Sequence, residues 1–424
     1  MEVREILLGD EAVALGALHA GISGAFGYPG TPSTEMFEYV EPLAAEYGIH
    51  ARWSANEKVA YEEALGMSFA GKRAIVSMKH VGLNVAADAF VNSGVTGVNG
   101  GLVLMVADDP GMHSSQNEQD SRFYAKFAAV PCYEPKNQQE CYDMVREAFD
   151  VSERLRLPIV LRMVTRLAHS RADVVIGDRR PQNGLNPPTD KQQFTLLPTN
   201  ARRNWAALVA RQGEIIGESE ASRFNRLELE GRDRKIGIIA NGVACNYVRE
   251  AFGGEVPHAM LSISRYPLPL GLIRKLIEAC ESIYVFEEGY PLIEEAIAGI
   301  NGIGKPLHGR SDGTVPATGE LTPAIAMDVF GIGRTGGIKS TLDHVPGRPP
   351  KLCQGCSHAD SYTLIKEVLK DYPGRHEGYR RIRHRLGSPG GEGVDVGLAG
   401  QAFGQMAEQV FQQQAQAIGQ AFDR

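Results

Sequence analysis

The sequence predicts an α/β protein built on mostly parallel sheets. Short apolar runs alternate with segments of helical apolar spacing, and the apolar runs do not themselves alternate with polar residues. Strands of that kind are buried on both faces, which in an open sheet means helices packed on each side. In addition, the chain has 48 glycines among 424 residues with no triplet period, which points to tight strand-to-helix turns and not to a fibre.

The first strand candidate is residues 24–28 (GAFGY), followed by stronger ones at 73–78 (RAIVSM), 102–107 (LVLMVA) and 157–163 (LPIVLRM). Between them, residues 33–47, 57–70, 83–92 and 138–154 carry apolar positions near three- and four-residue spacing and read as helices. Residues 1–177 are therefore expected to form one α/β domain. From 178 to 233, Pro-rich stretches and a polar helix at 200–218 read as a connecting segment. A second α/β domain is expected over 234–342, with strands at 235–240, 259–263 and 282–286, a turn at Asn241-Gly242 and a helix at 245–252. Residues 343–372 include the linker VPGRPP and begin a third unit, with a helix at 361–369. Residues 373–424 then change character, with five arginines between 375 and 385 and eight glutamines between 401 and 420. This tail lacks apolar strand runs and is expected to pack poorly, apart from a helical stretch at 406–421.

With 43% hydrophobic and 22% charged residues, the chain has the balance of a soluble globular protein. A net charge of −7 argues against nucleic acid as a partner. No run approaches the roughly 18 apolar residues of a membrane span. The start, MEVREILLGDE, lacks the features of a secretory signal, so a cytoplasmic location is expected. Cys132, Cys141, Cys245 and Cys280 are scattered in apolar surroundings and are expected as buried thiols. Cys353 and Cys356 form a C-x-x-C, which suits a redox pair or half of a zinc or iron–sulfur site.

Residues 331–336 (GIGRTG) match G-x-G-x-x-G, but a helix-like AIAMDVF precedes them where the dinucleotide motif requires a strand. Nucleotide binding is not expected there. More informative are three polar segments at strand ends in the first domain: Gly27 to Glu35, Trp53 to Ala60, and Met78 to Asn84. Ser33 or Thr34 is placed to cap one helix and Asn56 another, with Glu57 at the first helical position. Ligands of open α/β sheets bind beyond the carboxyl ends of the strands, so the segments point to one shared cleft without fixing its ligand.

Three stretches, GYPGTPSTEM (27–36), WSANEKVAYEEALGMSFAGKRAIVSMKHVGLNVAAD (53–88) and ADDPGMHSSQNEQDSR (107–122), closely resemble the large (alpha) subunits of the indolepyruvate ferredoxin oxidoreductases. These belong to the thiamine-diphosphate-dependent 2-oxoacid:ferredoxin oxidoreductases, and the resemblance runs from about residue 7 to about residue 370. It implies a pyrimidine-type thiamine-diphosphate-binding domain, a transketolase C-terminal-like α/β domain, and the remnant of a diphosphate-binding domain at PPKLCQGCSHADSYTLIKE (349–367). The implied activity is oxidative decarboxylation of aryl 2-oxoacids to acyl-CoA, with coenzyme A, a ferredoxin acceptor, a smaller partner subunit and self-association. By the same resemblance, Glu57 is the catalytic carboxylate that shares a proton with the pyrimidine ring, expected to be buried with its pKa raised. Thr31, Lys79 and His113 contact substrate, while Pro29, His80, Gly82 and Leu83 line the cofactor site, and Cys353 and Cys356 supply iron–sulfur ligands.

The implied cofactors are thiamine diphosphate, Mg2+ and an iron–sulfur cluster. Past residue 372, however, the family's Gly-Asp-Ile-Gly-Cys stretch, its magnesium motif and its ferredoxin-like domain do not follow. A truncated or frame-shifted reading frame with an unrelated tail is the simplest expectation, and the chain alone is expected to be inactive. Two alternatives are a non-catalytic binding or subunit-assembly module and another thiamine-diphosphate enzyme.

Overall fold

Three neighbouring apolar strands, Ala74–Lys79, Leu102–Asp108 and Ile159–Val164, are buried at every position and form the centre of a seven-stranded sheet. The computed structural model describes residues 3–300, 304–333 and 363. Met1–Thr335 is one compact unit and Gly336–Arg424 a second, of which Thr363 alone is described. Across the sheet the strands run Arg265–Tyr266, Cys132–Tyr133, Ile159–Val164, Leu102–Asp108, Ala74–Lys79, Gly24–Gly27 and His50–Trp53. All pair in parallel except Arg265–Tyr266, which lies antiparallel to Cys132–Tyr133.

Each face of the sheet is covered, as the nearly continuous apolar strands require. Ile75, Val103, Met105 and Leu161 pack with Val13 and Ala17 of the helix Gly9–His19 and with Met144 and Val145 of the helix Gln138–Leu155. The alternate residues Val76, Leu104, Val106 and Val160 share a second cluster with Tyr61 of the helix Glu57–Phe69 and Phe90 of the helix His80–Thr96. A five-stranded sheet follows in the order Leu307–His308, Ser282–Phe286, Asp233–Asn241, His258–Ile263 and Arg226–Glu228, of which only the last is antiparallel. Val3–Leu8 and Arg171–Ile176 form a separate antiparallel ribbon.

Several local expectations need correction. The helix expected over 83–92 runs from His80 to Thr96, directly out of the strand ending at Lys79. The segment 33–47 is Thr34–Val40, a 3-10 turn at Glu41–Leu43 that contains Pro42, and Ala44–Tyr47. Proline removes a helical donor, and a tight turn absorbs the loss. The polar helix at 200–218 is two, Pro198–Ala210 and Gln212–Glu220. Asn56 does cap, accepting from Val59 N at 2.9 Å, but Ser33 Oγ donates to Gly30 O at 2.7 Å and caps nothing.

Cys132, Cys141, Cys245 and Cys280 are buried free thiols. Cys353, Cys356, residues 334–336 of GIGRTG, the expected diphosphate-binding remnant (Thr363 aside) and the tail from 373 lie outside the described residues. Among the described residues, no helix is long and apolar enough to cross a membrane.

Candidate functional site

The strands Gly24–Gly27, Ala74–Lys79 and Leu102–Asp108 are parallel neighbours, so the segments leaving their carboxyl ends emerge side by side. The first is the loop carrying Pro29 and Thr31, both exposed. It is folded by Gly30 N donating to Thr34 Oγ1 at 2.9 Å. A Cβ on Gly30 would stand 3.1 Å from Lys79 Cβ, so this loop lies close on the end of the second strand.

The third segment is a turn built around Asp109. Its carboxylate accepts from Ser114 N at 2.8 Å, Ser115 Oγ at 2.5 Å, Thr165 Oγ1 at 2.7 Å and His113 N at 3.3 Å. Burial pushes Asp109 up, but these donors and the Lys79 charge more than offset it and hold the carboxyl below its ordinary value. The turn forces Met112 to φ 55°, a left-handed conformation unusual for a residue with a side chain. Ser114 Oγ reaches Thr31 O at 3.2 Å, and Lys79 Nζ donates to Ser114 O at 2.8 Å. Burial draws the Lys79 ammonium down from its ordinary pKa, with Asp109 opposing. Thr31, Lys79 and the backbone around His113 are thus tied together, while the His113 side chain is 53% exposed.

Beside them, His80, Gly82 and Leu83 lie in the first turn of their helix and are buried. His80 Nε2 is 3.3 Å from Asn117 O. A carbonyl only accepts, so Nε2 donates here. Nδ1 is buried without a partner. Glu57 opens the helix Glu57–Phe69 and is half-buried, less enclosed than expected. A Cβ added to Gly82 would lie 2.6 Å from both Glu57 Cγ and Oε1, so the carboxylate sits where a side chain at 82 would be. Glu57 and Gly82 form one group and Thr31, Lys79 and His113 another. Lys79 precedes the helix bearing Gly82 and so links them.

Sequence reasoning missed a buried ionic network on the same side of the sheet. Arg162, wholly enclosed, donates to Asp108 Oδ2 at 2.6 Å and pairs with Glu134. Arg122 holds Asp120 and reaches Glu287 Oε2 at 3.0 Å, at the end of the strand Ser282–Phe286. The second half also supplies Glu320, whose oxygens each accept from Arg166 at 2.6 Å and whose Oε2 is 3.6 Å from His113 Nε2. One signal was present: an arginine within the apolar run LPIVLRM demands buried counter-charges.

A doubly covered parallel sheet bears, at its strand ends, a glutamate at a helix start seated on a glycine beside a buried histidine, the arrangement of an open α/β ligand-binding protein. The family model for pyruvate flavodoxin/ferredoxin oxidoreductase, thiamine diphosphate-binding, matches residues 15–226, half of the chain, which belongs to that family. Subunit IorA of the indolepyruvate oxidoreductase of Thermococcus kodakarensis is 38% identical over 390 residues, covering 86% of this chain and 60% of the relative. The IorA subunit of Methanothermobacter marburgensis is 39% identical over 384 residues, covering 87% and 61%. The chain thus spans about 60% of the length of these relatives. A 2-oxoglutarate:ferredoxin oxidoreductase from Magnetococcus marinus shares the fold, with a TM-score of 0.63 at 16% identity over 78% of this chain and 65% of that one.

Proposed function

We propose that the chain is the large subunit of an indolepyruvate ferredoxin oxidoreductase. It acts with a smaller subunit to decarboxylate aryl 2-oxoacids oxidatively, forming acyl-CoA and passing electrons to ferredoxin. The observation that carries this reading is the Glu57 carboxylate on Gly82, within the region that matches the thiamine-diphosphate-binding family. The IorA relatives at 38–39% identity supply the substrate class.

The residues suit the pyrimidine half of thiamine diphosphate. The Glu57 side chain has no hydrogen-bond or ion-pair partner among the described residues, and His80 offers a buried ring nitrogen, Nδ1, without a partner. When bound, the cofactor supplies the carbon nucleophile for 2-oxoacid decarboxylation. Glu57 holds the proton shared with the pyrimidine N1′, and Gly82 leaves room for its carboxylate. Thr31, Lys79 and His113 receive the 2-oxoacid, while Pro29 and Leu83 complete the walls.

The same reading includes Mg2+ at the diphosphate and an iron–sulfur cluster on Cys353 and Cys356, which lie outside the described residues. Among the described residues, no group of three or more His, Cys, Asp or Glu is arranged to hold a metal.

The test is anaerobic turnover of the chain completed with the magnesium motif and ferredoxin-like domain of the family and co-expressed with its smaller subunit, given indolepyruvate, coenzyme A, thiamine diphosphate, Mg2+ and oxidised ferredoxin. Ferredoxin reduction that depends on coenzyme A is expected, with Glu57→Gln lowering kcat by about 10²-fold or more. Wild-type turnover in Glu57→Gln would overturn the assignment of that residue. If the complex leaves 2-oxoacids untouched but still assembles, the subunit-assembly alternative replaces the enzymatic one.

A further inference from the structure

The contact between Glu320 and His113 joins a distant part of the chain to the candidate cleft. The turn bearing His113 follows the strand Leu102–Asp108, whereas Glu320 lies just before the helix Pro323–Val329. Its position is fixed from both sides. Leu321 N donates to Glu288 Oε1 at 2.8 Å, and Thr322 caps the helix by accepting from Ile325 N. Glu320 itself is only 14% exposed, and the Arg166 guanidinium grips both of its oxygens at 2.6 Å. A fork of this kind sets the orientation of a carboxylate as well as its place.

Arg166 already neutralises Glu320, so the approach of His113 to Oε2 is not needed for charge balance. Gly111 lies beside that contact, with its α-carbon turned toward Glu320 N and His113 Nε2, and its φ of 82° is a left-handed conformation that favours glycine. With Nε2 turned toward Glu320, the remaining ring nitrogen, Nδ1, is the one left to meet a ligand. The other charged groups at this turn are Asp109, bonded to His113 N; Glu118, bonded to Gly111 N; and Lys79, bonded to Ser114.

We propose that Glu320 is a positioning residue that holds His113 with Nδ1 toward the cleft, so that His113 bridges Glu320 and the carboxylate of a bound 2-oxoacid. The inference rests on the function proposed above and assigns to that site a residue from the second half of the chain. A ring that bridges two carboxylates must donate from both nitrogens. Binding therefore takes up one proton from solvent wherever the free ring is neutral.

The test uses the assembled complex and calorimetry with phenylpyruvate, repeated in buffers of different ionisation enthalpy, beside the uncharged phenylpyruvate amide. Phenylpyruvate is expected to bind with proton uptake and the amide without it. Glu320→Gln should weaken phenylpyruvate about fivefold, the scale of a half-exposed ion pair, and reduce the uptake while leaving the amide unaffected. In turnover, KM should rise by more than kcat falls. Combining Glu320→Gln with His113→Asn should cost no more than His113→Asn alone. If wild type binds phenylpyruvate but Glu320→Gln matches it in affinity and proton uptake, the inference fails while the proposed function stands. Additive losses in the double variant would also overturn it. Failure of wild type to bind any 2-oxoacid would overturn both.

Discussion

The Glu57 side chain occupies the space beside the α-carbon of Gly82, so that a methyl group at 82 would meet Oε1 at 2.6 Å. The two residues come from the first turns of adjacent helices and define each other's permitted identity.

Gly82→Ala separates this role from folding. The obstructing atoms belong to a flexible side chain, and alanine favours a helix over glycine by about 1 kcal/mol. The thermal midpoint is expected to hold or rise slightly. The displaced carboxylate should lower kcat about 10²-fold, because small misplacements of a catalytic group are costly. A Gly82→Ala enzyme with wild-type turnover would show that Glu57 does not act from where it sits.

Arg162→Met should be among the most damaging single changes to stability. It leaves Asp108 and Glu134 buried without their cation, a loss of about 3–5 kcal/mol. Urea denaturation measures it, and a loss below about 1 kcal/mol would mean that the network relaxes onto Arg122.

Stability should fall as pH rises from about 4.5 to about 7. Burial pushes the Glu288 carboxyl up to about 7, against the Leu321 N–H and the Arg162 charge, and its Oε2 is buried without a partner. A folded pKa above the unfolded one gives stability that is full below the unfolded value and is lost through the folded value. The span corresponds to about 3 kcal/mol for this group. Glu288→Gln should flatten that part of the curve, and an unchanged slope would assign the effect elsewhere.

Asn56→Ala tests the start of the helix that carries Glu57. Loss of the bond from Val59 N should cost about 1 kcal/mol by chemical denaturation. A cost near zero would mean that solvent replaces the cap.

The sheet was legible where burial leaves a simple mark. Leu102–Asp108 and Ala74–Lys79 are enclosed at every position, so their sequences are nearly continuous apolar runs, with Ser77 inside one and Lys79 and Asp108 at the ends. The helix Gly9–His19 was not legible because it is buried on nearly all sides, which erases the periodicity that marks a helix. The edge strand His50–Trp53 is half exposed and too short to show alternation. Thr31, Lys79 and Glu57 stand in polar segments at strand ends, a pattern that points to a cleft, whereas their individual roles are legible only through the family resemblance. Glu320 carries no local mark, since its importance comes from Arg166 and His113, some 150 to 200 positions earlier in the chain.

The outermost strand of the seven-stranded sheet, Arg265–Tyr266, is synthesised long after Cys132–Tyr133, against which it pairs. At about 5–20 residues per second, a ribosome needs roughly 5–20 s to pass from Ile176 to Tyr266. Throughout that interval the edge at Cys132–Tyr133 waits without its neighbour, and Arg122 without Glu287. Unpaired sheet edges invite association with other chains. Aggregation of nascent protein should therefore depend on translation speed across this interval, and chaperone demand should peak there.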